Sequence, residues 1–153
     1  MMAFERELRL YEIICARMNI SFMVDLNATN LCKETLNKAL KCAKAKHPYL
    51  RMKMVDNQGN DVLSNQFKNS FQSFKYVEIT DDEAIFIPII EQRLKSHEAF
   101  NDWQQMLIDV ANRDRNFSKS LIFLDLVSLE NSNRHKIYGC INHSGNLNEL
   151  KLI

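Results

Sequence analysis

Ile20, Phe22, Val24 and Leu26 alternate with Ser21, Met23 and Asp25. That two-residue period predicts a strand over 20–26. A loop at 27–30 follows. Leu36, Ala39, Leu40 and Ala43 then recur at i, i+3, i+4 and i+7, an apolar helical stripe, with Lys33, Lys38, Lys41 and Lys44 off it. Pro48 ends this helix near His47. A strand is expected over 50–55, then a turn at Asn57-Gln58-Gly59-Asn60, with Val62 and Leu63 returning as a hairpin arm. A further strand is expected over 74–79.

Thr80 and Glu83 have capping-box spacing, although 85–90 is rich in isoleucine and contains Pro88. Placing Pro88 in the first turn predicts a helix from there to about His97. A second helix is expected over 102–112, capped by Asn101 with Gln104, and buried through Trp103, Met106, Leu107 and Val110. Strands over 121–130 and 135–143 join across 131–134. The stretch 147–153 looks like two turns of helix. The order β-α-β-β-β-α-α-β-β-α makes the fold class mixed α/β, a sheet flanked by helices.

With 153 residues, 46% of them hydrophobic, the chain is one domain with a real core. Twenty basic and nineteen acidic residues leave a charge of +1, which implies no nucleic acid or anionic membrane as a dominant partner. No apolar run is long enough to span a bilayer. The first ten residues carry Glu5, Arg6, Glu7 and Arg9, unlike a signal peptide, so the cytosol is the expected compartment. Cys15, Cys32, Cys42 and Cys140 form no C-x-x-C pair, and with no zinc-like Cys/His spacing they read as free buried thiols. Phosphate-binding glycine loops are absent.

A more specific pattern runs through the chain. Arg6, Leu8 and Glu12 form an R-x-L-x-x-x-E phrase. Then come the strand at 20–26, the phrase Leu36-x-x-Ala39-Leu40, and His47-Pro48-x-Leu50-Arg51. Asn116-Phe117, the long strand near 121–129 and a strand ending in Asn142-His143 follow. In this order the chain resembles the N-terminal half of the chloramphenicol acetyltransferase-like superfamily. That group includes nonribosomal peptide condensation domains, alcohol O-acetyltransferases, polyketide-associated acyltransferases and plant-type acyltransferases.

The resemblance covers nearly the whole chain and implies half of a two-lobed fold. It also implies a degenerate H-H-x-x-x-D-G motif. Asn142 stands at the first histidine, His143 at the second, Leu147 at the aspartate and Asn148 at the glycine. The resemblance makes His143 the candidate general base for an acceptor nucleophile, and the aspartate an orienting group. Leucine takes part in no ion pair, so the loop's geometry is altered unless a carboxylate such as Glu149 substitutes. The family's tunnel runs between two halves, and its oxyanion-stabilising groups come largely from the second.

The ordinary imidazole pKa, about 6.5, suits His143 to proton abstraction near neutrality. The alternative is a relic histidine packed at a strand end. Cys140 lies three residues away, on the opposite face of a strand, so a Cys140–His143 dyad is not expected. Instead Cys140 shares its face with Tyr138 and Asn142. Ser144 lacks the G-x-S-x-G turn. His47 reads as structural at a helix end, and His97 and His135 as solvent-facing. The lysines of the 33–46 helix could meet phosphate on coenzyme A or a carrier protein, but a solvated face is the plainer reading.

The leading functional reading is an acyltransferase-like half-domain, inactive as a lone chain. Its ancestral reaction moves an acyl group from acyl-CoA or a carrier-bound thioester to a hydroxyl or amine. No metal or redox cofactor is required. The alternative is a non-catalytic interaction module or truncated relic that binds a partner through an open face. A homodimer that rebuilds a two-lobed tunnel, or a second-lobe partner, links the two.

Overall fold

The computed structural model describes residues 5–7, 19–63, 74–81 and 87–142, with side chains for 20–63, 74–81 and 87–142. The strands are β1 (Glu5–Glu7), β2 (Asn19–Asn27), β3 (Met52–Asp56), β4 (Phe74–Glu78), β5 (Ile89–Leu94), β6 (Ile122–Leu129) and β7 (Arg134–Asn142). The helices are α1 (Lys33–Lys46), α2 (His97–Asn101) and α3 (Trp103–Asn112), with a 3-10 turn at Pro48–Arg51. The fold is mixed α/β, a mixed sheet flanked by helices.

The main sheet has the order β2-β7-β6-β5. β2–β7 and β6–β7 are antiparallel, whereas β5 runs parallel to β6. A smaller antiparallel sheet has the order β1-β4-β3. Every residue of β6 is buried, and the strand feeds all three cores. Ile122, Leu124 and Leu126 meet Ile87 and Ile89 on the face that α1 covers through Leu36 and Leu40. Val127 and Leu129 meet Phe100, Val110 and Tyr138 on the face covered by α2 and α3. Phe123 joins Met54, Phe74, Tyr76, Phe117 and Leu121 against the small sheet.

The expected helix from Pro88 to His97 is instead strand β5 with a short connection. Ile87 and Ile89 are buried on one face, while Ile90, Gln92 and Leu94 alternate to the other. The apolar demand of β6 on that side overrides the capping-box spacing. Pro88, which has no N–H to donate, precedes the strand, and its carbonyl accepts from Leu124 N–H at 3.0 Å. Glu83 of that box lies outside the described residues.

Other boundaries shift for local reasons. Leu50 and Arg51 belong to the 3-10 turn that Pro48 opens, so the strand begins at Met52. The turn after β3 forms as expected, with Gly59 at φ +81. Only Asp61 bridges back to Val55, however, and the full partner of β3 is β4. The 102–112 helix is present, but its cap is Asp102, whose carboxylate accepts from Gln105 N–H. Trp103, expected in the buried stripe, is 43% exposed. The stripe of α1 also narrows: Ala39 is exposed, and Leu36 and Leu40 carry the packing. Of the expected buried thiols, Cys140 is buried, Cys32 half-buried and Cys42 exposed. Cys15 and the 147–153 helix lie outside the described residues.

Gly139 of β7 lies beneath the ring of Phe22 on β2. A Cβ placed there would sit 2.0 Å from Phe22 Cζ. Gly139→Ala is therefore expected to cost roughly 1–3 kcal/mol, the usual penalty of overpacking. Urea unfolding of Gly139→Ala alone and in a Phe22→Ala background checks this. The cost disappears in the second background if the ring is its cause.

Candidate functional site

The candidate site lies at the C-terminal end of β7. Asn142, the motif-position residue, is the last described residue and is 1% exposed. Its N–H donates to Leu121 C=O at 2.9 Å. Its C=O accepts from the Tyr49 hydroxyl at 2.6 Å. His143, Ser144, Leu147, Asn148 and Glu149 lie outside the described residues, as do Leu8 and Glu12; Arg6 is placed by its backbone alone.

Tyr49 comes from the phrase His47-Pro48-Tyr49-Leu50-Arg51, which works as a bracket. Pro48 starts the 3-10 turn, and Leu50 N–H closes it on His47 C=O. Leu50 packs into the α1-face core. Arg51 pairs with Glu78 of β4, Nη2 to Oε1 at 2.7 Å. Its Nη1 also donates to the Lys44 carbonyl in the last turn of α1. Tyr49 packs against both the α1-face core and the small-sheet core. Burial raises its phenol far above the ordinary 10.0, with Tyr76 and Cys140 adding to the rise. The hydroxyl therefore keeps its proton and donates it to the strand end. Sequence reasoning singled out His47 and Pro48 but not Tyr49; no local signal marks an aromatic residue whose partner lies 93 positions away.

The phrase Asn116-Phe117 has a similar fastening role. Phe117 C=O accepts from Met54 N–H, and Phe117 N–H donates to Val62 C=O. Ser118 Oγ donates to Met54 C=O at 2.6 Å and accepts from Val62 N–H.

Cys140, Tyr138 and Asn142 share a face, as expected, and all three are buried. Burial raises the Cys140 thiol, and the nearby Arg115 guanidinium only partly opposes this. A thiol held up in this way is a poor nucleophile at neutral pH.

His135 is buried, contrary to the expectation of a solvent-facing side chain. Nε2 lies 2.9 Å from the Ala28 carbonyl and Nδ1 2.8 Å from Ser128 Oγ. A carbonyl only accepts, so Nε2 carries hydrogen, while Nδ1 shares a hydrogen bond with the serine hydroxyl. The ring ties β7 to β6 and to the end of β2. His47 and His97 are exposed, as are Lys38, Lys41 and Lys46 of α1. No three metal-binding side chains gather among the described residues.

Asp125, in the middle of β6, has a side chain only 1% exposed. Arg113 donates Nη1 to both of its oxygens, at 2.8 and 2.7 Å, and Gln92 approaches at 3.4 Å. The available signal was a carboxylate inside an apolar strand, which demands a buried partner. This pair lies on the α3 side of the sheet and stabilises the fold.

No protein-family model and no curated protein matches the chain. Solved structures do. A condensation domain that mediates chain release from the enacyloxin polyketide synthase is 15% identical, with a TM-score of 0.55 over 84% of this chain and 22% of its own. The starter condensation domain of rhizomide synthetase, in complex with C8-CoA, is 12% identical, with a TM-score of 0.57 over 84% and 26%. TRI101 from F. sporotrichioides, complexed with coenzyme A and T-2, is 12% identical, with a TM-score of 0.51 over 92% and 35%. This chain therefore has the condensation-domain fold and spans about a fifth to a third of these proteins. No helix among the described residues is long and apolar enough to cross a membrane.

Two outcomes follow for this region. Arg113→Ala leaves the Asp125 carboxylate buried without its ion-pair partner. It is expected to cost near the lower end of the roughly 3–5 kcal/mol typical of a broken buried pair, since Arg113 is 30% exposed. Urea titration reads this directly. Alkaline pH is the second. In the unfolded chain Tyr138 ionises near 10.0, but in the fold only at about 12, because of burial and then Asp25 and Asp102. Tyr49 shifts in the same direction. The unfolded state thus loses protons first. Stability is intact below pH 10 and falls as pH rises through 12. The Tyr49→Phe/Tyr138→Phe double variant should flatten that fall in denaturant titrations across the same range.

Proposed function

We propose that the chain, as one domain over 1–153, is a single lobe of an acyl-transfer fold. It resembles the N-terminal lobe and carries His143 as general base. The reaction would move an acyl group from a thioester, acyl-CoA or carrier-bound, to a hydroxyl or amine. The acceptor O–H or N–H gives its proton to His143 as the new acyl bond forms, and the thiolate leaves. The lone chain does not turn over, because the opposing wall and the oxyanion donors belong to a second lobe.

The observation that carries this reading is the anchored strand end. Leu121 and the hydroxyl of half-buried Tyr49 hold Asn142 by both backbone groups, immediately before His143. A general base must bring its ring nitrogen within hydrogen-bond reach of the acceptor's proton, and a fixed strand end limits where that ring can go. Coenzyme A in two of the fold relatives supports a thioester donor. The exposed Ile20 and Val24, each 44% exposed, favour a second reading as a non-catalytic interaction module.

The test is acyl transfer from a short acyl-CoA to a small alcohol or amine, with product read by mass spectrometry. Wild type and His143→Ala are compared in each oligomeric fraction. A monomer is expected to give no product above the His143→Ala background. In an assembled, active species, His143→Ala should lower transfer by about 10²–10⁴-fold. His143-dependent turnover by a strict monomer would overturn the lone-lobe reading. Turnover indifferent to His143→Ala would remove His143 as the base.

A further inference from the structure

β2 is an outer strand of the main sheet, and its far side pairs with nothing among the described residues. The backbone fixes which groups face that side. β2 and β7 are antiparallel, and Ala28 N–H donates to Asn133 C=O at 2.9 Å, in register with the ladder. Even-numbered residues therefore turn their N–H and C=O toward β7. Asn19, Ser21, Met23, Asp25 and Asn27 turn theirs outward.

Edge strands usually carry a deterrent to pairing, such as proline, charge or a bulge. The opposite edge, β5, follows Pro88 and carries Glu91 and Arg93. β2 has no proline, glycine, lysine or arginine. Its one charge, Asp25, is matched by Lys136 of β7 at 2.5 Å. Instead the strand exposes Ile20 and Val24.

Its sequence is also symmetrical about its centre. Antiparallel pairing with a second copy, on a two-fold axis at Met23, sets Asn19 opposite Asn27, Ile20 opposite Leu26, Ser21 opposite Asp25 and Phe22 opposite Val24. Apolar residues meet apolar ones and polar residues meet polar ones along the full strand. The outward-facing residues fall at the hydrogen-bonded positions, as the ladder requires. Moving the axis one residue either way sets Met23 against Ser21 or against Asp25.

We propose that β2 is a homodimer interface, on which two copies pair edge to edge about Met23 to join their main sheets into one continuous sheet. The occupant is a second copy because the open edge is complementary to itself in both backbone and side chains. This interface does not rest on the acyl-transfer reading.

Sedimentation of the full chain at micromolar concentration tests it. Met23→Pro removes an outward N–H, together with a side chain that packs on the α2/α3-face core, while leaving the β2–β7 ladder its donors. Val24→Lys adds charge at a side chain that is already half exposed and keeps the backbone intact. Ile90→Lys places the same charge beside the opposite edge. Wild type is expected at twice the 17.9 kDa chain mass. Met23→Pro and Val24→Lys should each weaken the dimer by roughly tenfold or more, because the two-fold axis applies each change twice. Ile90→Lys should leave it unchanged. A cooperative thermal melt of each variant separates lost pairing from lost folding, and Val24→Lys decides the matter if Met23→Pro does not fold. A monomeric wild type would overturn the proposal. So would a dimer indifferent to folded Val24→Lys, or one dissolved equally by Ile90→Lys.

Discussion

All eight side chains of β6 are buried, and no other strand of the main sheet is so completely enclosed. A strand hidden on both faces needs cover on both, and hydrogen-bonded neighbours on both edges. β7 supplies one edge through a tight hairpin, and β5 supplies the other in parallel. Helix α1 covers one face, and α2 with α3 covers the other. The small sheet closes the remaining end against Phe123 and Leu121. The one charge in β6, Asp125, is compatible with this enclosure only because Arg113 reaches it from the segment after α3.

The same enclosure fixes the candidate site. β7 lies between β6 and β2, so its end inherits the rigidity of the sheet. Tyr49 adds a second constraint from outside the sheet, since its ring joins two cores and its hydroxyl meets the Asn142 carbonyl. Arg51 then ties the Tyr49 turn to β4 and to the end of α1. A five-residue phrase thereby connects the last turn of one helix, the small sheet and the strand end beside His143. The phrase is a structural unit before it is a chemical one.

Among the described residues, β2 has only one of its edges engaged, by β7. Phe22 is held over Gly139, but Ile20 and Val24 project from the same face with little above them. Among the described residues the sheet is enclosed at its centre, and its margin at β2 exposes Ile20 and Val24. That margin is where a protein of this size has apolar surface left for association.

Local periodicity was enough for α1, α3, β2, β6 and β7, because each has a clear apolar face or run. The resemblance to the condensation-domain fold rested instead on short phrases that fall at element ends. Periodicity failed at 88–97. There a capping-box spacing competed with a run of isoleucines, and only the unfilled edge of β6 decides for a strand. It failed at His135, whose polar ring reads as exposed until Ser128 and Ala28 are seen to satisfy it. Trp103 and Tyr49 read wrongly or not at all, since burial and partners many residues away leave no trace in local spacing. The sequence by itself determined the order of most elements, the alternation of their faces and the chemistry available at Asn142 and His143. Tertiary structure alone decided which strands pair, which polar groups are buried in pairs, and what holds the end of β7. Those depend on contacts between distant segments, where the free energy of enclosing β6 outweighs local preference.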